Sequence, residues 1–415
     1  MHILRLTSFI CLPIALLSAC SEQSGPGPAT VPSEYQKQLQ TELIQAKPGD
    51  VITIPAGIHS INRGLSLNVS GVTLRGEGMD KSVLSFKGQL QGAEGLLVNA
   101  SDFTIEDLAI EDTAGDGLKI NEGRNIIIRR VRTEWTNGPD EKNGAYGIYP
   151  VQIENLLLED SVAIAASDAG LYVGQSRNVV VRNNRVEQNV AGIEIENTFA
   201  ADVYGNTATG NTGGILVFNM PDLPQPGHST RVYQNTVLAN NTDNFGAEGT
   251  PVASVPAGSG IVINSNDRVE IFDNDIADND TANIIISSYF ATGFQGTREM
   301  AAAYDPYPEA IYIYGNRFSG GGSSPDGLDL KALKVLKFGL NGSFPDVLWD
   351  GFANPENVDA EGKLKAAHAI CVNNGDAKVL NADLPNDSDN IVIDEQQHHC
   401  DHQKLPPVIL AAPLN

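Results

Sequence analysis

The sequence predicts an all-β solenoid, a chain wound in parallel coils of about 22 residues each. Three observations predict it. Glycine makes up 41 of the 415 residues, as in turn-rich chains. A polar residue recurs at a constant distance after certain glycines. Each of those glycines is followed by a short apolar strand, mostly at steps of 22 or 23 residues: Gly95, Gly117, Gly147, Gly170, Gly192, Gly214 and Gly260, with Asn283 last.

The first element is a targeting segment. The apolar run 4–17 is too short to span a bilayer and ends in Leu17-Ser18-Ala19-Cys20. These residues resemble a bacterial lipobox, which implies a signal peptide over 1–19, a lipid on the Cys20 thiol and, since no aspartate follows, an outer-membrane anchor. A plain secretory signal is the alternative. Residues 20–32, rich in Gly, Pro and Ser, are predicted to form a flexible tether.

The coil is predicted over residues 33–327, with a helix covering its first turn. Ser33 and Gln36 have capping-box spacing, and Leu39, Leu43 and Ile44 follow at helical intervals. Residues 328–415 lose the repeat and are predicted to form an irregular cap at the other end. Open β-edges need such covers.

The polar residue after each glycine predicts a structural ladder. It lies 14 residues on, or somewhat further in lengthened coils, where stacked side chains can bond one another and the backbone. The ladder comprises Ser161, Asn184, Asn206, Asn235, Asn274 and Asn316. Two charged columns predict the same register, because they alternate in sign between stacked strands. They are Asp102, Arg124, Glu154, Arg177 and Asp107, Arg129, Glu159, Arg182.

Four insertions flank the glycine strand and predict a groove along its sheet. They span 133–146, 219–229, 240–257 and 288–309. Loops that rise from both ends of one face form walls along it, and solenoids usually bind ligands there.

The second residue after each glycine is predicted to point outward, because side chains alternate along a strand. This column contains Lys119, Tyr149, Tyr172 and Glu194, and Glu196 lies two residues further on. Tyr149 over Tyr172 predicts a platform for sugar rings, with an aromatic ladder under a loop as the alternative. The predicted ligand-binding set is Tyr149, Tyr172, Lys119, Tyr146, Gln175 and Asn197.

Three carboxylates form the candidate catalytic set. Glu194 and Glu196 share a strand face with their Cα atoms about 6.6 Å apart, close to the spacing of the two acids in inverting glycosidases. Asp168, at the mouth of the preceding coil, would raise a neighbour's pKa or help to bind Ca²⁺. A solvated acidic patch is the alternative. No other cofactor and no set of metal ligands is predicted.

The remaining cysteine pair predicts a disulfide. Outside the leader and Cys20, only Cys371 and Cys400 are present, and an even pair in an oxidising compartment is typical of a bridge. Cys400 also lies in the stretch HHCDH over 398–402, so a metal site is the alternative. That site needs a free thiolate, which a disulfide would remove.

The charge excludes nucleic acid as a partner. Lys and Arg number 27 against 51 Asp and Glu, a net charge of −24 at pH 7. An anionic surface of this size repels phosphate backbones.

The opening of the coil resembles right-handed parallel β-helix proteins of the pectin-lyase-like superfamily, which include polysaccharide lyases and alginate epimerases. The resemblance rests on PGDVITIPAG at 48–57 and VTLRG at 72–76, spans roughly 48–320, and implies the right-handed fold and a polysaccharide ligand. Alginate epimerases carry Tyr-Gly-Phe-Asp-Pro-His. In the matching stretch 146–151, Tyr149 and Val151 stand at the Asp and His positions, so the epimerase mechanism is not expected.

Together these observations predict a surface-anchored lipoprotein that binds a polysaccharide in the groove without catalysis. Two alternatives remain open. The protein is a polysaccharide lyase or glycoside hydrolase that uses Glu194, Glu196 and Asp168, or it is a periplasmic scaffold that docks a protein partner.

Overall fold

The computed structural model describes residues 33–292, 300, 304–393, 396 and 398–411. The predicted signal peptide 1–19, the lipidation site Cys20 and the tether 20–32 lie outside the described residues. Among the described helices, none is both long enough and apolar enough to cross a bilayer.

The chain winds into a coil whose strands stack into three parallel faces, as the repeat predicts. Sheet A contains the glycine strands: Arg63–Leu67, Gln91–Val98, Ala169–Gly174, Ala191–Glu196, Gly213–Phe218, Ser259–Asn264, Ala282–Ser287, Val347–Trp349 and Val379–Asn381. Sheet B contains Val51–Thr53, Thr73–Arg75, Arg177–Arg182, Phe199–Tyr204, His228–Tyr233, Asp267–Phe272, Ile311–Tyr314 and Ile370–Asn373. Sheet C contains Gly57–Ser60, Ser82–Ser85, Val162–Ile164, Arg185–Glu187, Thr207–Thr209, Thr236–Leu238, Asp275–Ala277 and Arg317–Ser319.

A few elements depart from this regular pattern. Three long strands bend from one sheet into the next: Phe103–Glu111, Leu118–Glu134 and Tyr146–Glu159. The short strand Val392–Ile393 pairs antiparallel to the last strand of sheet A. The helices are α1 (Glu34–Gln45) and α2 (Leu328–Phe338), with single 3-10 turns at Pro251–Ser254, Tyr289–Ala291 and Leu384–Asn386.

The interior of the coil is a set of aliphatic columns. The residue directly after each glycine points inward, so that Leu171, Ile193 and Ile215 lie in register and are fully buried. The glycine itself is required by close backbone approach. A Cβ atom on Gly192 would lie 2.5 Å from the carbonyl oxygen of Gly214 in the next coil. The sequence repeat therefore follows from both the buried core positions and the close spacing of the coils.

Helix α1 covers the first coil, as predicted. The Ser33 hydroxyl accepts a hydrogen bond from the Gln36 N–H at 3.1 Å, and Leu39 and Leu43 are buried against the coil. Ile44, which the sequence analysis placed on the same face, is 68% exposed, because it lies one position round the helix from Leu43.

The predicted asparagine ladder is confirmed at the corner between sheets B and C. The backbone N–H and the side-chain amide of Asn206 both donate to Oδ1 of Asn235, at 3.0 and 2.9 Å, and the pattern repeats along the column. A second ladder at the next corner was missed, although its members lie five residues after those of the first. It comprises Asn189, Asn211, Asn240 and Asn279.

The predicted charged columns are confirmed in part. Glu159 lies between Arg129 and Arg182 in sheet B and forms ion pairs with both, at 3.4 and 2.6 Å. The first members were placed one residue out of register. Glu106, not Asp107, is opposite Arg129.

The shift has a local cause. The coils that contain Leu96 and Leu118 are 22 residues apart at these positions but 23 apart at Phe103 and Ile126, so one extra residue precedes sheet B. Asp102 therefore lies beside Asn125 rather than opposite a basic residue, and it accepts a hydrogen bond from the Asn125 amide at 2.7 Å. The insertion changes which residues face one another without disturbing the core.

The C-terminal region is more regular than predicted. The strands Val347–Trp349 and Ile370–Asn373 continue sheets A and B past residue 327, and the intervening helix α2 hides the repeat in the sequence. The tail then runs back along sheet B. The Val408 N–H donates to Asp202 at 3.1 Å and the Ala411 N–H to Asn155 at 2.8 Å.

The predicted disulfide is confirmed between Cys371 and Cys400, whose Cα atoms are 4.9 Å apart. It joins a strand of sheet B to the start of the returning tail. Because the bridge uses the Cys400 sulfur, the alternative metal site that needed a thiolate there is not formed.

Candidate functional site

The predicted outward column of sheet A lies in register. Lys119 is opposite Tyr149, and Tyr172 is opposite Glu194. Glu196 is opposite Gly174 in the same pair of strands. Residues that are 22 to 30 positions apart in the sequence are thereby brought together on one face of the coil.

Three tyrosines form a single cluster on this face. The ring centroids of Tyr146 and Tyr149 are 4.4 Å apart, and each ring lies 4.8 Å from that of Tyr172. Tyr149 and Tyr172 meet edge to face at 89°, so the expected pair of stacked rings is not formed. Tyr172 is 4% exposed and lies beneath the other two, which are half-buried. The accessible aromatic surface is therefore provided by Tyr146 and Tyr149.

Lys119 lies at the edge of the cluster. Its Nζ is 4.7 Å from the centre of the Tyr149 ring and 3.7 Å from Oδ2 of Asp116. Asp116 was missed by the sequence analysis, although it directly precedes a glycine of the repeat, and its burial raises its pKa. The cation is therefore both stacked on an aromatic ring and paired with an acid.

The carboxyl groups are buried rather than solvated. Asp168 is 8% exposed and Glu194 is 2% exposed. Asp168 forms a hydrogen bond with the Tyr146 hydroxyl, and Glu194 forms one with Glu196. One oxygen of each buried group, Oδ1 of Asp168 and Oε2 of Glu194, has no hydrogen-bond partner among the described residues. The alternative of a solvated acidic patch does not fit these two residues.

Burial changes the ionisation of the whole cluster. It raises the pKa of Asp168 to about 8, and the negative charge of Glu196 adds to the effect. Burial likewise raises the pKa of Glu194 well above its usual range, reinforced by Asp168 and Glu196. Burial raises the pKa of Tyr149 to about 12. Near neutral pH the site therefore contains buried carboxylic acids that keep their protons beside phenol hydroxyls.

These pKa values predict a pH dependence of stability. Between roughly pH 4, where a free Asp ionises, and pH 8, the folded chain keeps the proton of Asp168 and the unfolded chain loses it. Stability must then fall as the pH rises through this window. We expect Asp168→Asn to remove that loss. The difference in free energy of unfolding between the variant and the wild type should then be more favourable to the variant at pH 8 than at pH 4, by about 1 kcal/mol or more. Urea unfolding at both pH values measures it, and parallel pH profiles would contradict it.

Two residues of the predicted ligand set have structural partners. The Gln175 amide donates to the Tyr172 hydroxyl at 3.1 Å and stays half-buried at the rim. Asn197 is buried, and its amide donates to the carbonyl oxygens of Met220 and Gln225 at 2.9 and 2.8 Å. Its Oδ1 accepts the Met220 N–H at 2.7 Å. Asn197 therefore holds the loop 219–227 and does not face a ligand, contrary to its predicted role.

The solvent-accessible part of this face spans fewer coils than the predicted groove. Beyond Glu194 the outward column becomes apolar, with Leu216 and Val262 as the next members. The loops 219–227 and 239–258, which correspond to the predicted insertions 219–229 and 240–257, pack on this part through Met220 and Val255. They cover the sheet rather than border it, because a large apolar face needs cover from water. The accessible polar face runs from Lys119 to Glu196.

Metal binding at this face has no geometric support. No group of three or more His, Cys, Asp or Glu side chains within the described part of the chain is arranged to bind a metal ion. The Ca²⁺ ion considered in the sequence analysis remains an untested prediction.

Comparison with known proteins agrees with the fold. The family described as "Right handed beta helix region" matches residues 57–237. The A-module of mannuronan C-5 epimerase AlgE4 from Azotobacter vinelandii is similar, with 18% identity, a TM-score of 0.55, and coverage of 76% of this chain and 87% of that module. The protein has a right-handed parallel β-helix fold.

Two further solved structures are similar to this chain at lower TM-scores. An alginate lyase from a Paenibacillus species has 14% identity and a TM-score of 0.39, covering 69% of this chain and 96% of its own. A GH87 α-1,3-glucanase catalytic unit from Streptomyces thermodiastaticus has 16% identity and a TM-score of 0.46, covering 78% of this chain and 48% of its own. Among curated protein sequences, the comparison finds no match.

Proposed function

We propose that this protein binds a polysaccharide across sheet A, over the face from Lys119 to Glu196. The observation that carries the proposal is the tyrosine–carboxyl cluster. Two half-buried phenol rings lie above buried acids that keep their protons. Aromatic faces pack against the C–H faces of sugars, while phenol and carboxyl groups hydrogen-bond hydroxyls. The solved structures that share the fold include polysaccharide-acting enzymes, which agrees with this class of ligand.

The electrostatics favour an uncharged polysaccharide over a polyuronate. The chain carries a net charge of −24. The cation at the site, Lys119, is already paired with Asp116. A polyanion would gain little from Lys119 and would be repelled by the rest of the surface. A neutral glycan meets no such cost.

Affinity gel electrophoresis with a panel of glycans tests the proposal. We expect a neutral polysaccharide to retard the protein, with an affinity that changes little between low and high salt, because few ion pairs are made. Retardation by polyuronates alone, or no retardation by any glycan in the panel, would contradict it.

Catalysis is the second candidate, and one observation favours it. Glu194 combines a buried carboxyl, a pKa raised by that burial, and an unpaired Oε2, and such perturbed acids cluster at catalytic sites. Glu194 could donate a proton to a glycosidic oxygen, as the acid of a hydrolase does. In the predicted inverting arrangement Glu196 would then activate a water molecule as the base, and Asp168 would raise the pKa of Glu194.

We expect Glu194→Gln to abolish turnover if the protein is an enzyme, since the amide keeps the shape but cannot transfer the proton. The assay is release of reducing or unsaturated ends from neutral and acidic glycans, run with and without EDTA to test the predicted Ca²⁺. Glu154→Gln, an exposed acid paired with Arg177 on sheet B, is the matched control and should retain activity. Equal activity of the Glu194→Gln variant and the wild type would exclude this role.

We also propose that the chain is anchored to the outer membrane through a lipid on Cys20, as its lipobox-like sequence implies. We expect the protein to enter the detergent phase on Triton X-114 partition, and Cys20→Ser to move it to the aqueous phase. A wild-type protein in the aqueous phase would contradict the anchor. Crosslinking in cells would test the further prediction of a periplasmic protein partner.

A further inference from the structure

A second cavity lies on the same sheet, beyond the covered coils. Its volume is about 450 Å³, within the range of small-molecule sites. The floor is sheet A, where Val262, Ile285 and Leu348 continue the outward column. Helix α2 and the turn Pro251–Ser254 form the roof. The cavity is therefore enclosed by three separate elements of the fold.

The lining is mainly hydrocarbon. Helix α2 contributes the half-buried Leu330 and Leu333 and the exposed Ala332, and Leu380 lines the cavity from the last strand of sheet A. The cavity is partly open at its mouth, so its apolar lining is not fully closed off from solvent. Water molecules would be poorly stabilised in this cavity, because an ordered water molecule needs two to four polar partners.

The buried polar side chains that line the cavity, Asn264 and Asp350, are already engaged by the protein. The Asn264 amide donates to Ser287 Oγ and to the Ser288 carbonyl oxygen, both at 3.0 Å. Asp350 is buried and accepts from the N–H and the hydroxyl of Ser288 and from the Phe352 N–H. None of these groups is left to orient a charged ligand.

The charged side chains that line the cavity are of one sign. Among the described lining residues they are Asp329 and Asp350, and no Lys or Arg is among them. Helix α2 also carries a buried lysine, Lys334, whose ammonium group donates a hydrogen bond to the Leu340 carbonyl oxygen at 2.7 Å. A carboxylate or phosphate on the ligand would therefore meet acids rather than cations, on a chain of net charge −24.

We propose that this cavity binds the aliphatic chain of an uncharged single-chain amphiphile, such as a fatty alcohol or its ester. The chain enters beside Leu336, which lines the cavity and is 79% exposed at its mouth. Each methylene transferred from water to the cavity favours binding. The uncharged end stays at the rim of the cavity, where the exposed carboxylate of Asp329 disfavours an anionic one.

The cavity is separate from the tyrosine–carboxyl site. Phe218, Met220 and Val255 pack between the two, so that Tyr172 and Leu216 lie on the other side of this wall. Binding of the amphiphile and binding of the polysaccharide are thus independent proposals, and either can fail without the other.

Displacement of the uncharged fluorophore N-phenyl-1-naphthylamine tests the inference. The probe should gain fluorescence with the wild-type protein. 1-Dodecanol, used below its solubility limit, should displace it at a concentration at least tenfold lower than dodecanoate does, used below its micelle concentration. Failure of the probe to bind, or equal displacement by dodecanoate, overturns the proposal.

Filling the cavity gives the matched variants. Leu333→Trp should lower the affinity for the probe at least tenfold, whereas Val335→Trp, on the exposed side of the same helix, should leave it unchanged. Ala332→Phe also reduces the cavity volume, and it should disturb the fold less because Ala332 is exposed. This variant provides the test if Leu333→Trp does not fold. Unchanged affinity in a folded Leu333→Trp or Ala332→Phe variant overturns the proposal.

Discussion

Replacing Asn235 with alanine should cost the fold about 3 kcal/mol, the largest stability effect we expect from one polar side chain. Its amide donates to the Val203 carbonyl oxygen and to Asn274 Oδ1 at 3.0 and 2.9 Å. Its Oδ1 accepts both the backbone N–H and the amide of Asn206. Alanine would leave these buried groups without partners, in a corner that every coil shares.

Urea unfolding measures the loss, and hydrogen exchange at the Asn206 N–H reports its location. Asn99→Ala is the matched control. The Asn99 amide also donates to an asparagine, Asn68 Oδ1 at 2.9 Å, but both side chains are exposed, so we expect less than about 0.5 kcal/mol. A similar loss in free energy of unfolding for the two variants would mean that the ladder stabilises the fold no more than an ordinary surface hydrogen bond does.

Replacing Tyr149 with alanine should weaken polysaccharide binding at least tenfold, or about 1.4 kcal/mol. The ring is half-buried and meets Tyr146 and Tyr172, and Lys119 lies over it. Its loss removes accessible aromatic surface and frees the lysine. Affinity gel retardation on the glycan that binds the wild type most tightly provides the measurement.

Tyr233→Ala is the matched control for this prediction. Tyr233 is also a half-buried ring between two aromatic neighbours, Tyr204 and Phe272, at centroid distances of 4.8 Å each, but it lies on sheet B. It should bind the glycan like the wild type. Equal losses in the two variants would place the ligand elsewhere or attribute the effect to the fold.

The sequence predicted the coil well because the core and the corners repeat. Leu171 and Ile193 stack as the spacing of their glycines predicts, and Asn206 bonds Asn235 as the polar column predicts. The prediction was less accurate where the spacing changes. One extra residue before sheet B moved Asp107 out of its column, and helix α2 concealed the last strands.

The site was predicted in part for the same reason. The register placed Tyr149, Tyr172 and Glu194 on one face, as the strand pairing confirms. It did not predict that Tyr172 and Glu194 are buried, or that Asn197 holds a loop. Those outcomes depend on how the side chains and the insertions pack, which no spacing along the chain contains.

The sequence alone determined the fold class, the stacking register and the face on which polar and aromatic residues gather, because a repeat of constant length constrains neighbours in space. The tertiary structure decided which of those residues reach solvent, which carboxyl groups keep their protons, and where a cavity remains under helix α2. These properties follow from burial, and burial at this face is set by loops and a helix that lie outside the repeat.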